Sequence, residues 1–311
     1  MINDRFAALL ELAADVDEIL LFRRHSWSRG RELGELRRFC GDLRREPWDW
    51  VVDFQGLLRS GLTTCVARSS RKIGFAAARE GAPIFYGTRV QTPPEVQHAV
   101  AKNLHLVSQV TGEPAVYEPS AWRTPPELVA RADAIWAESG LAACSEVVAV
   151  APAARWQSKS WPPDFFAATM RRLAEARPGV GFWLLGSADD AAAGEAVLAA
   201  GAPATTANLI GRTDMHLLLA LLRRSQGMLT NDSGPMHLAA AVDVPTVALF
   251  GPTSPVLTGP YGDRHVVLAS RVECAPCMQR ICPLPKQLCR DDVASPAAAA
   301  TALTDILASR A

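Results

Sequence analysis

The sequence predicts an α/β protein built from two doubly wound domains. Two observations favour this fold class. At 311 residues the chain is long enough for two domains of ordinary size, each with its own core. Short apolar runs that resemble buried strands alternate with segments of helical periodicity, and this alternation is typical of parallel sheets covered by helices on both faces. In such folds a ligand binds outside the carboxyl ends of the strands.

Composition excludes several classes of protein. The chain has 32 basic and 32 acidic residues, and the basic residues are spread along it, so nucleic acid is not an expected partner. Hydrophobic residues make up 49% of the chain, but no apolar run approaches the roughly 18 to 20 residues that span a bilayer. The acidic start is unlike a signal peptide. We therefore expect a cytoplasmic protein without a transmembrane segment.

The first predicted domain covers residues 1–140. Residues 1–20 are interpreted as an amphipathic helix, and residues 29–45 as a charged helix. Trp50 to Phe54 reads as a buried strand that leads through a glycine turn into a helix. A further helix is expected to end at Gly112. The proline-rich segment that follows, "TGEPAVYEPSAWRTPPE", breaks regular structure and suggests a linker there or shortly after it.

The second predicted domain covers residues 141–295. Its strands are predicted in "VVAVAP", "VGFWLLG", "GMLTND" and "PTVALFG", with helices between them, one of which starts at Pro163. A last helix is predicted over 296–311.

The stretch "LTNDSGPMH" indicates an anion site at the start of a helix. Asp232, Ser233 and Gly234 form the turn after an apolar strand, and a proline near the first helical position leaves no amide unsatisfied. The remaining free amides and the positive end of the helix dipole suit a phosphate group. His237 lies four residues after Ser233, on the same side of the first turn. The alternative is that Asp232 or Ser233 is an ordinary helix cap.

Two further loops follow predicted strands. In "ARWQSKSWPPDFF", Lys159 lies between a strand and a helix, so it would share one anion with the helix start at Ser233 if the two strands are neighbours. The alternative is a solvated surface lysine. The loop in "ALFGPTSPVLTGPYG" carries no nucleophile and is interpreted as a rigid turn.

These motifs together resemble a known family. "NDSGPMHLAAA", "VPTVALFGPTSP", "TGPYG", "KSWP" and "DFQGLLRSG" look like the lipopolysaccharide heptosyltransferases, and "AREGAPIFY" with "VQHAVAKNLHLV" resembles the heptosyltransferase I branch. The resemblance implies a GT-B glycosyltransferase, with two Rossmann-like domains facing across a cleft and the last helix packing back on the first domain. It implies an ADP-heptose donor, a lipid A-core type acceptor, inversion at the anomeric carbon, no metal and no cofactor. The enzyme would be cytoplasmic or peripheral at the inner membrane.

By motif, the resemblance places Lys159 at the donor diphosphate. It places Asp232, Ser233, Gly234 and His237 along the donor's phosphate and sugar, and Met215 near the adenine.

The catalytic base is where the sequence departs from the family. The resemblance implies that the family's first strand and its Ser-x-Gly-Asp-like loop would come before Met1, and Asp4 lacks the preceding strand and glycine loop that this motif needs. Asp53, at a strand end, is the remaining candidate base, with turn capping as the alternative. Two other functions stay open: a catalytically incomplete nucleotide-sugar-binding relative, or a transferase of the same fold that uses another sugar.

Four cysteines near the carboxyl end form a C-x2-C-x4-C-x6-C pattern: Cys274, Cys277, Cys282 and Cys289. Four thiolates at this spacing could bind zinc or an iron–sulfur centre. A structural or redox-sensitive loop is the favoured interpretation.

Overall fold

The computed structural model describes residues 1–22, 33–119 and 121–308, which divide into two compact units, Met1–Glu118 and Pro119–Ala311. Within the described residues, no helix combines the length and the apolar character needed to cross a membrane.

The first unit contains two small parallel sheets. One pairs β1 with β2, and the other has the order β3-β4-β5. Its elements are β1 (Ile2–Asn3), α1 (Ala7–Glu11), β2 (Leu21–Phe22), α2 (Leu33–Arg44), β3 (Val51–Asp53), α3 (Leu58–Val66), β4 (Lys72–Phe75), β5 (Thr88–Val90) and α4 (Ala99–Thr111).

Apart from the amino-terminal helix, the predicted strand and helices of this unit are present where the structure describes them. Strand β3 falls within the predicted stretch from Trp50 to Phe54. Helix α4 ends at Gly112, whose φ of 78° is the left-handed conformation that glycine adopts without strain. Ile73, Val90 and Leu106 form the buried core that joins α4 to the three-stranded sheet. Residues 29–32 of the predicted charged helix lie outside the described residues.

The amino-terminal prediction is wrong in part. Residues 1–20 do not form one helix: β1 comes first, a 3-10 turn covers Asp4–Phe6, and α1 ends at Glu11. Strand β1 pairs with β2 in parallel, so this stretch is a small strand-helix-strand unit. Asp4 therefore follows a short strand, which the sequence analysis did not expect.

The second unit is a six-stranded parallel sheet with the order β11-β10-β9-β6-β7-β8. Its elements are α5 (Pro126–Glu138), β6 (Glu146–Ala151), α6 (Pro163–Ala176), β7 (Val180–Leu184), α7 (Ala191–Ala199), β8 (Thr206–Asn208), α8 (Met215–Arg224), β9 (Gly227–Asn231), α9 (Gly234–Ala241), β10 (Thr246–Phe250), α10 (Pro255–Thr258), β11 (Val266–Ala269), α11 (Leu288–Asp291) and α12 (Pro296–Ala308).

The strand order reverses between β6 and β9. From β6 the chain builds outward through β7 to β8, then returns to place β9 on the other side of β6 and continues to β10 and β11. Strands β7, β9 and β10 are buried throughout, as expected for a parallel sheet covered on both faces. The reversal creates a crevice at the carboxyl ends of β6 and β9, which is where ligands bind in open α/β sheets.

The last helix contributes to the core of the second unit. Leu303, Ile306 and Leu307 of α12 are buried in the main core of the second unit, and α12 packs along α6. The expectation that this helix packs back on the first domain stays a prediction. Small residues such as Ala299 allow the close approach of α12 to its neighbours in the second unit. Residues 309–311 lie outside the described residues.

The boundary between the two units lies earlier in the sequence than residue 140, where we predicted it. Helix α5 packs against α8 and so belongs to the second unit. Trp136 of α5 contacts the buried Trp183 edge to face, with ring centroids 5.9 Å apart, and the Arg224 guanidinium lies 4.5 Å from the Trp136 ring. The structural boundary at Glu118 and Pro119 falls inside the proline-rich linker.

Candidate functional site

The crevice at the strand reversal holds a lysine–aspartate pair. Lys159 lies in a 3-10 turn after β6, and Asp232 follows β9 directly. The Lys159 Nζ atom is 2.6 Å from Asp232 Oδ2, and only 16% and 6% of the two side chains are exposed. Because β6 and β9 are neighbours in a parallel sheet, their carboxyl ends bring these residues together. The alternative of a solvated surface lysine is therefore wrong.

Asn231 fixes the relative position of the two loops. Its side-chain oxygen accepts a hydrogen bond from the Trp161 amide at 3.1 Å, and its amide group donates to the Pro152 carbonyl at 2.7 Å. Asn231 is itself completely buried. Sequence reasoning missed this residue, although a polar side chain at the end of an apolar strand was a usable signal.

The start of α9 presents its backbone to the same crevice. Ser233 occupies the N-cap position, but its side chain makes no capping hydrogen bond, and its Oγ lies 3.1 Å from Thr230 Oγ1 instead. Gly234 is exposed, and nothing lies within 4 Å of the position that a Cβ would occupy there. The ordinary helix-cap alternative is thus wrong for Ser233. The first amides of a helix have no partner within the helix itself, and such amides bind anions.

The remaining predicted donor residues lie on two different helices. His237 is an exposed residue in the first turns of α9. Met215 is half-buried and begins α8, which follows β8 at the edge of the sheet, two strands away from β6. The preceding Asp214 caps α8 by accepting a hydrogen bond from the Leu217 amide at 2.7 Å. The structure therefore puts Met215 after a different strand from the Lys159–Asp232 pair.

Trp156 brings a second cation to Lys159. The Lys159 Nζ atom lies 4.4 Å from the centroid of the Trp156 ring, and Arg280 Cζ lies 5.4 Å from it. The Ser158 hydroxyl is 3.0 Å from the carbonyl oxygens of both Gln279 and Arg280, to which it can donate. Sequence reasoning missed Trp156 and Arg280, because no local pattern connects residues so far apart in the chain.

The loop after β10 is packed beneath these groups. A Cβ at Gly251 would lie 3.2 Å from the Cys289 carbonyl oxygen, so this position requires glycine or a small shift of its neighbour. Thr253 is 4% exposed, and its hydroxyl has no hydrogen-bond partner among the described residues. The loop thus carries a buried hydroxyl that sequence reasoning did not single out.

The four predicted cysteines follow β11 in the chain. All are free thiols: Cys274 is exposed, Cys277 and Cys282 are half-buried, and Cys289 is buried in α11. In the part of the chain that the structure describes, no three His, Cys, Asp or Glu side chains are placed to hold a metal ion. The structural or redox-sensitive loop and the zinc or iron–sulfur alternative both stay predictions. Burial, with a contribution from the other three thiols, raises the pKa of Cys289 above its ordinary value and lowers its reactivity.

Asp53 occupies a buried turn in the first unit. Its Oδ1 accepts hydrogen bonds from the Gln55 and Gly56 amides at 2.9 and 3.1 Å, and its Oδ2 accepts one from the Tyr86 hydroxyl at 2.6 Å. Both burial and the carboxylate raise the pKa of Tyr86, so this phenol remains a donor at neutral pH. These contacts favour the turn-capping role of Asp53 over the catalytic one.

An open cavity of about 1030 Å³ also occurs in the first unit. It is lined by residues 47–50 and 68–71, and Arg71 Cζ lies 6.0 Å from the Trp50 ring. All of its lining residues belong to the first unit.

Comparison with known proteins decides the family. The model of glycosyltransferase family 9, the heptosyltransferases, matches residues 36–288. The chain belongs to this family. It is 30% identical to lipopolysaccharide heptosyltransferase 1 of Pseudomonas aeruginosa over 263 residues, which cover 84% of this chain and 70% of that relative. A shorter match, 39% identical over 114 residues, covers 36% of this chain and 32% of lipopolysaccharide heptosyltransferase 2 of Salmonella typhimurium. The heptosyltransferase resemblance is thereby confirmed, and this family member is a glycosyltransferase.

Solved structures confirm the fold class. A glycosyltransferase family 9 protein from Veillonella parvula aligns with a TM-score of 0.80 at 21% identity, over 99% of this chain and 87% of that one. The E. coli heptosyltransferase WaaC with ADP aligns with a TM-score of 0.73 at 23% identity, over 99% and 88% of the two chains. The family member described here thus has the α/β architecture of the GT-B heptosyltransferases.

Proposed function

We propose that this heptosyltransferase family member moves heptose from ADP-heptose onto a lipopolysaccharide inner-core acceptor. The reaction would invert the anomeric carbon and require no metal. The Pseudomonas aeruginosa relative is named a lipopolysaccharide heptosyltransferase, which supports the acceptor class. The structures of E. coli heptosyltransferase WaaC with ADP and with ADP-2-deoxy-2-fluoro heptose share the fold and support the choice of nucleotide.

The observation that carries this proposal is the Lys159–Asp232 pair beside the open start of α9. When a sugar is transferred from a nucleoside diphosphate sugar, negative charge grows on the diphosphate as its bond to the sugar breaks. A buried ammonium group and the free amides of a helix start stabilise charge where it develops. They can therefore supply the stabilisation for which other enzymes use a metal ion.

Each donor residue then has a separate role. Lys159 would bind a phosphate oxygen, and Asp232 would hold the lysine and leave its Oδ1 to accept a hydrogen bond from a sugar hydroxyl. The backbone at Ser233 and Gly234 would bind the second phosphate, with His237 alongside. Met215 would contact the adenine. Direct displacement by the acceptor hydroxyl would invert the anomeric carbon.

The diphosphate site cannot be the whole catalyst. A helix terminus contributes at most about 2 kcal/mol, whereas enzymes lower barriers by ~8 kcal/mol or more. A base that activates the acceptor hydroxyl would add about 10²- to 10⁴-fold. We do not assign this role to Asp53, because its carboxylate already accepts three hydrogen bonds inside a turn. A lipid-linked acceptor would require the protein to work at the cytoplasmic face of the inner membrane, as a peripheral protein.

Calorimetry with ADP, UDP and GDP tests the donor. We expect the full chain to bind ADP at least tenfold more tightly than UDP or GDP, and Lys159→Ala to weaken ADP binding by about tenfold or more. Lys286→Ala is the control, since Lys286 is exposed and, among the described residues, forms no hydrogen bond or ion pair with Lys159 or Asp232. A preference for UDP or GDP would contradict the heptose donor, and unchanged ADP affinity in Lys159→Ala would mean that the diphosphate binds elsewhere.

Turnover tests the rest of the proposal. With ADP-heptose and a purified inner-core acceptor, NMR of the product should show an inverted anomeric carbon, and a chelator should leave the rate unchanged. Tight ADP binding without product would favour the catalytically incomplete relative. Retention of configuration, or loss of rate with the chelator, would contradict the single-displacement, metal-independent mechanism.

A further inference from the structure

Lys159 alone gives the proposed diphosphate site too little positive charge. Asp232 lies 2.6 Å from the Lys159 ammonium and neutralises it. A nucleoside diphosphate carries negative charge on both phosphoryl groups, so the pair offers it almost no net positive charge. Another cation close to Lys159 would correct this balance.

Arg280 is the cation that the structure puts beside Lys159. The two cationic groups share the ring of Trp156, at 4.4 Å for Lys159 Nζ and 5.4 Å for Arg280 Cζ, so their separation cannot exceed the sum of those distances. An aromatic face attracts cations, and one indole can therefore hold two of them close together despite their mutual repulsion. Arg280 is exposed, and no carboxylate of the described residues forms an ion pair with it.

The backbone that carries Arg280 is attached to the loop that carries Lys159. The Ser158 hydroxyl can donate to the carbonyl oxygens of Gln279 and Arg280, each at 3.0 Å. The Met278 amide donates to the Pro252 carbonyl at 2.8 Å, which joins the same segment to the loop after β10. The main chain at Arg280 is therefore fixed to the loops after β6 and β10, although its segment has no regular secondary structure.

Hydrogen bonds also join the two ends of the segment that carries Arg280. The Asp292 Oδ2 atom accepts hydrogen bonds from the Ser270 hydroxyl and the Arg271 amide, both at 3.0 Å. These bonds join the end of β11 to the residues that follow α11. The cysteine-containing segment between β11 and the end of α11 is thus held by hydrogen bonds at its two ends and at Met278 to Arg280.

We propose that Arg280 is a second diphosphate-binding residue of the donor site, held next to Lys159 by Trp156 and Ser158. This inference rests on the proposed function for the identity of the ligand. A guanidinium group suits the role, because its planar array of donors can bind two phosphate oxygens at once, and Lys159 can then serve as the point charge. The cysteine-containing segment, in this account, is a support for Arg280.

Calorimetry with ADP, inorganic pyrophosphate and adenosine tests the assignment in the full chain. Arg280→Ala should weaken ADP and pyrophosphate binding by about ten- to hundredfold, the loss of charge-assisted hydrogen bonds, and leave adenosine binding unchanged. Arg280→Lys should recover part of the pyrophosphate affinity. The matched control is Lys286→Ala, which removes one positive charge from the same segment.

The outcomes separate this inference from the proposed function. If Lys159→Ala weakens ADP binding and Arg280→Ala does not, the role of Arg280 is wrong and the proposed donor site stands. If the chain prefers another nucleotide but Arg280→Ala still weakens pyrophosphate binding, the donor assignment fails and the anion site stands. If Lys286→Ala has the same effect as Arg280→Ala, or adenosine binding falls equally in Arg280→Ala, the specific role of Arg280 is refuted.

Discussion

Replacing Lys159 should separate its contribution to folding from its contribution to binding. Lys159→Met keeps the length and apolar stem of the side chain but leaves the buried Asp232 carboxylate without its partner. Exposed ion pairs contribute about 0–1 kcal/mol, whereas loss of one partner of a fully buried pair costs about 3–5 kcal/mol. With 16% of Lys159 and 6% of Asp232 exposed, we expect an intermediate loss of about 2 kcal/mol in the free energy of unfolding.

The double variant Lys159→Met/Asp232→Asn removes both charges and should recover most of that stability, to within about 1 kcal/mol of the wild type. Urea unfolding measures this, with tryptophan fluorescence as the signal because Trp161 and Trp183 are buried in the second unit. Arg264→Met is the control, because Arg264 forms an exposed pair with Asp243 in the same unit. It should change stability by no more than about 1 kcal/mol.

Ligand-dependent unfolding completes this experiment. ADP at a hundredfold excess over its dissociation constant should stabilise the wild type by about 2.7 kcal/mol. The double variant should be almost as stable as the wild type without ADP and gain much less from the same concentration. The reasoning is refuted if Lys159→Met is as stable as the wild type, or if the costs of the two single changes simply add in the double variant.

Three other changes test separate parts of the structure. Tyr86→Phe removes the buried donor to Asp53 and should lower the stability of the first unit by about 1–3 kcal/mol in urea unfolding, whereas an unchanged midpoint would mean that the 2.6 Å hydrogen bond is unimportant. Burial lowers the pKa of His265, with Arg264 adding to this effect and Asp243 and Asp263 opposing it, so the neutral form is favoured in the folded state. Stability should therefore fall as the pH drops below 6.5, the ordinary pKa of histidine. Melting temperatures measured between pH 7 and 5 should fall less in His265→Gln than in the wild type. An equal dependence of the melting temperature on pH in both proteins would contradict this. Leu303→Ala in α12 should cost about 2–5 kcal/mol, because Leu303 is completely buried in the second unit, and a loss below 1 kcal/mol would show that α12 does not pack there.

The proximity of Lys159 and Asp232 could be predicted from the sequence, because parallel strands bring their carboxyl ends to one edge of a sheet. Apolar runs identified the strands, and the residues after them identified the edge. The capping role of Asp53 could not be decided from the sequence, because it depends on Tyr86, which comes from another part of the first unit. Residues 1–20 were assigned one helix because periodicity alone did not reveal the short pairing of β1 with β2.

The packing of α12 and the position of Arg280 were beyond sequence reasoning for a different reason. An alanine-rich helix shows that it has an apolar surface but does not show which unit that surface contacts. Arg280 lies in an irregular segment, whose path is set by hydrogen bonds to Ser158 and Pro252 and has no periodic signature. Tertiary contacts between distant segments decide both features.

Hydrogen–deuterium exchange with and without ADP is the most direct test of the proposed donor site. We predict that ADP slows exchange in the peptides that cover residues 152–161, 231–238 and 251–254, the loops after β6, β9 and β10 together with the start of α9. Peptides around Asp53 should be unaffected. Protection confined to the first unit, or absent from the segment that contains Asp232 and Gly234, would contradict the assignment of this crevice as the nucleotide-sugar site.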